Sequence, residues 1–243
     1  MLRHLLISAA IIAAPLPALA QTQTPAPAAK PQKVLQFLSP DDVDPARLLP
    51  PPPAEGSAAE KADLADVRRA IADRSPERFA QAKWDDDHED PSMFAPTLGE
   101  RFDMQKLPAT RDVLAIVQND ASVAASGAKK LFQRKRPWAV DASIQTCDPN
   151  DKLLTSYPSG HATLGYSLGM TLAVLIPEKS QILMARAQDY AYSRVVCGSH
   201  YVTDTRASQA LAAAFVTALL KAPAFQAKLT AAHAELKGAG LAQ

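Results

Sequence analysis

From about residue 57 to the C terminus, apolar positions recur at steps of three and four residues, and nowhere do they alternate convincingly with period two. That spacing lays apolar side chains along one stripe of a helix, so the pattern predicts an all-α fold. The first start signal is Ser57-Ala-Ala-Glu60, a capping box, with Ala62, Leu64, Val67, Ala70 and Ile71 behind it at helical spacing. Ser75-Pro76 opens a second helix, with proline at the first helical position and Phe79, Ala82 and Trp84 following. Thr110 opens a long helix carrying Val113, Ile116, Val117, Val123, Ala124, Gly127 and Leu131. It should stop before Pro137, because proline disfavours the α conformation in the residue ahead of it. Further helices are predicted at about 160–176, at 180–196 with Gly198 as the stop, at about 201–221, and at 224–237 with Gly238 beyond. Within the first of these, ATLGYSLGMTLAVLI is too short to span a bilayer and contains Tyr166 and Ser167, so it reads as a buried helix.

Two stretches near the N terminus depart from this pattern. Residues 1–20 carry Arg3 ahead of an apolar run and end in Ala18-Leu19-Ala20, the form of a cleaved secretory signal. A membrane anchor is the competing reading, and Pro15 and Pro17 break the run too early for it. Residues 21–55 are rich in proline and alanine and end in LLPPPPAEG; so many prolines remove donors and fix φ against regular structure. A partly disordered arm is expected there, leaving 56–243 as a single all-helical domain, large enough for a real core.

Export changes what the composition means. The 243-residue chain has a formal net charge of +1, and loss of Arg3 with the signal leaves 25 basic residues against 25 acidic ones. A neutral mature chain argues against nucleic acid or an anionic membrane as a bulk electrostatic partner; it leaves a homo-oligomer open. In an oxidising compartment the two cysteines, Cys147 and Cys197, predict one disulfide, two buried thiols being the alternative.

Three stretches carry candidate chemistry. In YPSGH, residues 157–161, a helix starting at about Gly160 would have Ser159 at its cap and unpaired N–H groups turned outwards as an anion site. The serine lacks the G-x-S-x-G elbow of a hydrolase nucleophile and the strand before it. In SRVVCGSHYVTD, residues 193–204, His200 and Asp204 are four apart, so on a helix the carboxylate would hold one imidazole nitrogen as N–H and leave the other with a free lone pair. Arg194 can reach the same place through the Cys197-Gly198 turn. In KKLFQRKRPW, residues 129–138, Lys129 and Arg136 are seven apart and share a face if the helix runs that far; a phosphate needs such fixed donors. The acidic run WDDDHED, residues 84–90, reads as a solvated helix end, since adjacent carboxylates cannot all converge on one ion; no metal is assigned. His4, His88 and His233 are given no role.

Together, Lys129 with Arg136-Pro137, then Pro158-Ser159-Gly160-His161, then Ser193-Arg194 with His200 and Asp204 resemble the K-x6-RP, PSGH and SR-x5-H-x3-D signature of the phosphatidic-acid-phosphatase type 2 superfamily. Within it the chain is most similar to the secreted bacterial class A non-specific acid phosphatases, from LLPPPP almost to the C terminus. The resemblance implies an all-helical, metal-free enzyme that hydrolyses phosphomonoesters through a phosphohistidine, releases inorganic phosphate and is inhibited by vanadate. It assigns Lys129, Arg136, Ser159, Gly160 and Arg194 to the phosphoryl oxygens, His200 to nucleophilic attack, Asp204 to orienting it, and His161 to protonating the leaving oxygen. Tyr201 and Arg206 depart from residues the family often has, tryptophan and an acid, which bears on substrate preference and pH optimum. A vanadium-dependent haloperoxidase is the nearest enzymatic alternative, and a non-catalytic phosphate-binding protein the alternative of another class. The second histidine speaks against mere binding, which needs cations but no acid and nucleophile pair.

Overall fold

The computed structural model describes residues 33–147, 149 and 152–243. The predicted signal, and the arm as far as residue 32, lie outside these. Among the described residues the regular structure is helical with no strand: α1 Pro45–Leu48, α2 Ala58–Asp73, α3 Pro76–Asp87, α4 Ala95–Leu98, α5 Pro108–Phe132, α6 Pro137–Val140, α7 Gly160–Leu175, α8 Ser180–Val196, α9 Val202–Leu219 and α10 Pro223–Gly238. None of them is by itself long and apolar enough to cross a membrane.

The local start signals act as expected at α2 and α3, where Ser57 Oγ accepts from the Glu60 N–H at 3.1 Å and Ser75 Oγ from the Arg78 N–H at 3.2 Å. Glu60 reaches one residue further back than a capping box requires, to the Gly56 N–H at 2.6 Å. The long helix α5 begins two residues before Thr110, at Pro108. Its cap comes from α10: Glu235 accepts from the N–H groups of Ala109 and Thr110 at 3.0 and 2.8 Å and from the Thr110 hydroxyl at 2.7 Å. A carboxylate at a helix start satisfies orphan donors and meets the positive end of the helix dipole.

α7 is the central helix, packed against α5, α8, α9 and α10, and 11 of its 16 residues are buried. The hydroxyls of Thr163, Ser167 and Thr171 donate to carbonyls one turn back, so its polar side chains are satisfied inside the core. α8 lies unusually close: a Cβ at Gly165 would stand 2.6 Å from Tyr190 Cδ1, and one at Gly169 2.9 Å from Ala187 Cβ. Val113, Val117, Leu168, Leu172, Phe215 and Phe225 fill the surrounding core.

The expected arm is not featureless where it is described. Pro40–Val43 forms a 3₁₀ turn and Pro45–Leu48 forms α1, both packed on α9 and the latter also on α5. Here Pro40 and Pro45 sit at first helical positions, where a missing N–H costs nothing, and Val43 and Leu49 anchor the segment in the core. A Cys147–Cys197 disulfide joins the loop after α6 to the end of α8, across a sequence separation of 50 residues.

Candidate active site

A cleft of about 560 Å³ opens where the end of α5, the start of α7, the end of α8 and the segment before α9 meet. Lys129, Arg136, Gly160, His161, Arg194 and His200 all line it. Asp204 lies behind His200, fully buried.

The position of His200 follows from the turn ending α8. Gly198 has φ +65°, and a Cβ there would meet Ile144 Cγ2 at 2.7 Å, so only glycine fits both the backbone and the space. The chain reverses, and the N–H groups of Ser199 and His200 return to the Arg194 carbonyl at 3.1 and 3.2 Å. The His200 ring has its tautomer set from both sides. Nδ1 faces two acceptors, the Ser156 carbonyl at 2.7 Å and Asp204 Oδ2 at 3.3 Å, so it carries the proton. Nε2 receives Arg136 Nη1 at 2.9 Å, and since a guanidinium only donates, this nitrogen carries the lone pair. Burial, then Arg136 and the other cations, hold the imidazole well below its ordinary range. Burial also pushes Asp204 up to about 6, against the pull of Arg134, the Ser156 hydroxyl and the Tyr201 N–H.

His161 stands in the first turn of α7. Its Nε2 donates to the Asp86 carbonyl at 3.2 Å, and Nδ1 lies 3.7 Å from Glu89 Oε1. Burial, followed by the charge of Arg194, keeps this ring neutral well below the usual histidine value. Arg194 pairs with the Asp86 carboxylate through Nη1, while its Nε is buried without an acceptor among the described residues. The acidic run is therefore a solvated helix end only in part: Asp87, Glu89 and Asp90 are exposed, whereas Asp85 and Asp86 are drawn inwards. Asp85 is fully buried, pairing with Arg186 and accepting from the Ser193 hydroxyl, and Asp86 lies against the cleft. Both are on the inner side of α3, where Ala82 and Asp85 are one turn apart, and charge complementarity to α8 takes the place of apolar packing.

Lys129 and Arg136 do converge, though not as two turns of one helix. α5 ends at Phe132 because Gln133 turns left-handed, φ 46°, and Arg136 is extended. The Arg136 side chain reaches the cleft from that loop, where Thr155 Oγ1 and the Ser199 carbonyl accept from it. Burial, with Arg136 beside it, pushes the Lys129 ammonium down to about 7. Ser159 is placed differently from Gly160. Its hydroxyl caps α7 by accepting from the Ala162 N–H at 3.3 Å and it lies fully buried behind the cleft, whereas Gly160 lines the opening 3.5 Å from Lys129 Nζ, measured from its would-be Cβ. Residues the motif reading passed over also border the site: Glu89 and Thr155 in its wall, Asp86 behind Arg194, and Ser156 behind His200.

Three cations around two imidazoles, one with a fixed lone pair and one at a helix start, make a site for an oxyanion that is to be attacked and not merely held. A match to the PAP2 superfamily covers residues 113–228, within which every signature residue lies. The chain is 31% identical over 214 residues to the non-specific acid phosphatase of Salmonella typhimurium, covering 84% of this chain and 85% of that one. It is 32% identical over 201 residues to the non-specific acid phosphatase of Providencia stuartii, covering 79% and 81%. To the acid phosphatase of Zymomonas mobilis it is 30% identical over 203 residues, covering 81% and 76%. The chain therefore belongs to the bacterial class A acid phosphatases of the PAP2 superfamily, and it is a phosphatase.

Proposed function

We propose that this phosphatase works outside the cytoplasm, behind a signal cleaved after about residue 20, and hydrolyses phosphomonoesters of broad structure through a phosphohistidine. The observation that carries the mechanism is the double-sided constraint on His200: Nδ1 bound to two acceptors, Nε2 left with its lone pair in the cleft beside Arg136. That lone pair forms the N–P bond while the bond from phosphorus to the leaving oxygen breaks. Asp204 then balances the imidazolium that results.

Lys129, Arg136, Arg194 and the first N–H groups of α7 take the phosphoryl oxygens, with Ser159 setting where that helix starts. His161 is neutral in the empty cleft, suppressed first by burial and then by the cations; the charge of a bound phosphate offsets the cations, so His161 gains its proton as substrate arrives. It gives that proton to the leaving oxygen and takes one back from the water that attacks phosphorus and breaks the N–P bond. Export is supported by the pattern over 1–20 and by the disulfide, a bond kept in oxidising compartments. The test is turnover of p-nitrophenyl phosphate with rapid quenching in base: native enzyme should carry a base-stable, acid-labile phosphate, inhibited competitively by vanadate. His200→Ala should lose both label and turnover, and residual turnover in that variant would refute the mechanism.

A further inference from the structure

We propose that Arg134 and Asp63, neither of which touches the cleft, are positioning residues for phosphoryl transfer: Arg134 keeps Asp204 ionised and locked, and Asp63 limits how tightly it does so. The proposal rests on the phosphohistidine reading and on contacts that reading does not use. Arg134 follows α5 in the loop, and its Nη1 donates to Asp204 Oδ1 and to Thr203 Oγ1, each at 2.7 Å. Its Nη2 donates to Asp63 Oδ2 at 2.8 Å, and the guanidinium lies 3.8 Å from the Tyr201 ring centroid. Side-chain exposure is 4% for Arg134, 3% for Asp63 and 0% for Asp204. One buried cation thus serves two buried carboxylates.

The division of Asp204 is complete. Oδ1 belongs to Arg134, while Oδ2 takes the Ser156 hydroxyl at 2.6 Å, the Tyr201 N–H at 2.9 Å and His200 Nδ1 at 3.3 Å. Held this way, the carboxylate cannot rotate, and it remains an acceptor for Nδ1–H. A protonated Asp204 would no longer balance the imidazolium that forms as Nε2 attacks phosphorus, although the Ser156 carbonyl would still hold the proton on Nδ1. Burial alone favours that protonated form, and an adjacent cation opposes it. The groups facing Asp204 are Arg134 and Tyr157 from the loops, Lys129 from α5, and His200 and Tyr201 ahead of α9, while Asp63 from α2 stands on the other side of Arg134. Of these cations only Arg134 touches the carboxylate. Asp63 is itself anchored by the Thr203 hydroxyl and by the Thr203 N–H at 3.3 Å, which ties the arrangement to the start of α9.

The two residues pull the acid side of the pH profile in opposite directions. The rate of phosphoenzyme formation from p-nitrophenyl phosphate, followed by rapid quench, falls as pH drops through the titration of Asp204. Arg134→Gln should move that fall to higher pH by roughly one unit or more, the effect of losing an opposite charge at contact, and Arg134→Lys should recover part of the shift. Asp63→Asn, which keeps the shape and removes a like charge, should move it to lower pH. A purely structural role would cut the rate by one factor at every pH and leave the limb in place, and that result overturns the proposal. If the Arg134 variants do not fold, Asp63→Asn decides alone: a downward shift supports the clamp, an unmoved or upward limb overturns it. Native enzyme with no phosphate on His200 would take down the underlying reading and this proposal with it, whereas phosphoenzyme with unmoved limbs removes only the proposal.

Discussion

The charge on Lys129 should depend on the anion it binds, and this can be measured. Its ammonium titrates at about 7 in the empty cleft because it is buried and Arg136 repels it. By simple titration, at about pH 8 only about one molecule in ten carries that charge. A bound dianion opposes both causes, offsetting Arg136 and accepting hydrogen bonds that compensate the buried ammonium, so the group moves back toward the ordinary lysine value of ~10.4. The sign follows. Below about pH 7 Lys129 is already charged and adds no pH dependence to anion affinity; above it, binding must charge Lys129, and this group alone makes affinity fall about tenfold per pH unit. Sulfate is a suitable probe because it is a dianion throughout this range and brings no proton of its own. Calorimetry in two buffers of different ionisation enthalpy should count uptake of about 0.9 proton at about pH 8 for the native enzyme. Lys129→Met should bind sulfate more weakly and lose this uptake, which separates Lys129 from any contribution of His161. Equal proton uptake in the two proteins, or an affinity level from about pH 6 to about pH 9, would refute the reasoning.

His161→Ala should lose far more activity on alkyl phosphates than on p-nitrophenyl phosphate, with a gap of roughly 10²–10⁴, because a nitrophenolate leaves without a proton and an alkoxide does not; equal losses would remove His161 from the acid role. Gly165→Ala should lower the melting temperature, since a Cβ 2.6 Å from Tyr190 Cδ1 forces overpacking of roughly 1–3 kcal/mol, more than helix propensity returns. Gly127→Ala, on the exposed side of α5 with nothing within 4 Å, should raise it by the ~1 kcal/mol of propensity alone, and a matching sign for the two would contradict the close α7–α8 approach. Cys147→Ser with Cys197→Ser should lower stability by about 4 kcal/mol on the chain-entropy account of a 50-residue loop, read as a fall in the denaturant midpoint; an unchanged midpoint would mean the bond constrains little.

How much of this was legible depended on whether the cause was local in sequence. α8 runs over the predicted bounds because both its ends carry their own signals, Pro177 ahead and Gly198 behind. α5 begins at Pro108, a local signal at the first helical position that the reading passed over, whereas the carboxylate that caps it, Glu235, lies 125 residues away from Thr110. Leu131 continues the apolar stripe of α5 yet is 52% exposed, since the helix ends one residue later and the stripe runs off the core. Asp85 and Asp86 looked like surface residues by type, and their partners Arg186 and Arg194 lie more than a hundred residues further on. A signal was present even so: Ala82 and Asp85 are one turn apart, so the inner face of α3 already contained a carboxylate. The motif residues were legible as a set, but the shared-face argument for Lys129 and Arg136 reached the right neighbourhood through a helix that does not extend there.

Gathering Lys129, Arg136 and Arg194 around one cleft brings like charges together in a medium that screens them poorly, and the fold handles each in a different way. Arg194 is paired with Asp86. Arg136 is held by neutral acceptors, Thr155 Oγ1 and the Ser199 carbonyl, and by the lone pair of His200. Lys129 has no such anchor among the described residues, and it is the one pushed down to about 7. The empty cleft thus contains fewer charges than its residue types suggest, and both imidazoles are neutral in it for the same reason, burial among cations. A phosphate dianion opposes that condition for Lys129 and His161 together, since its charge offsets the cations that, after burial, suppress both. His200 responds differently, because its Nδ1 is already committed to Ser156 and Asp204, and what the phosphate takes from it is the guanidinium on Nε2. Under the proposed mechanism, one binding event would charge His161, complete the cation set and free the lone pair of His200, so the chemistry would not need two histidines of opposite protonation in the resting enzyme.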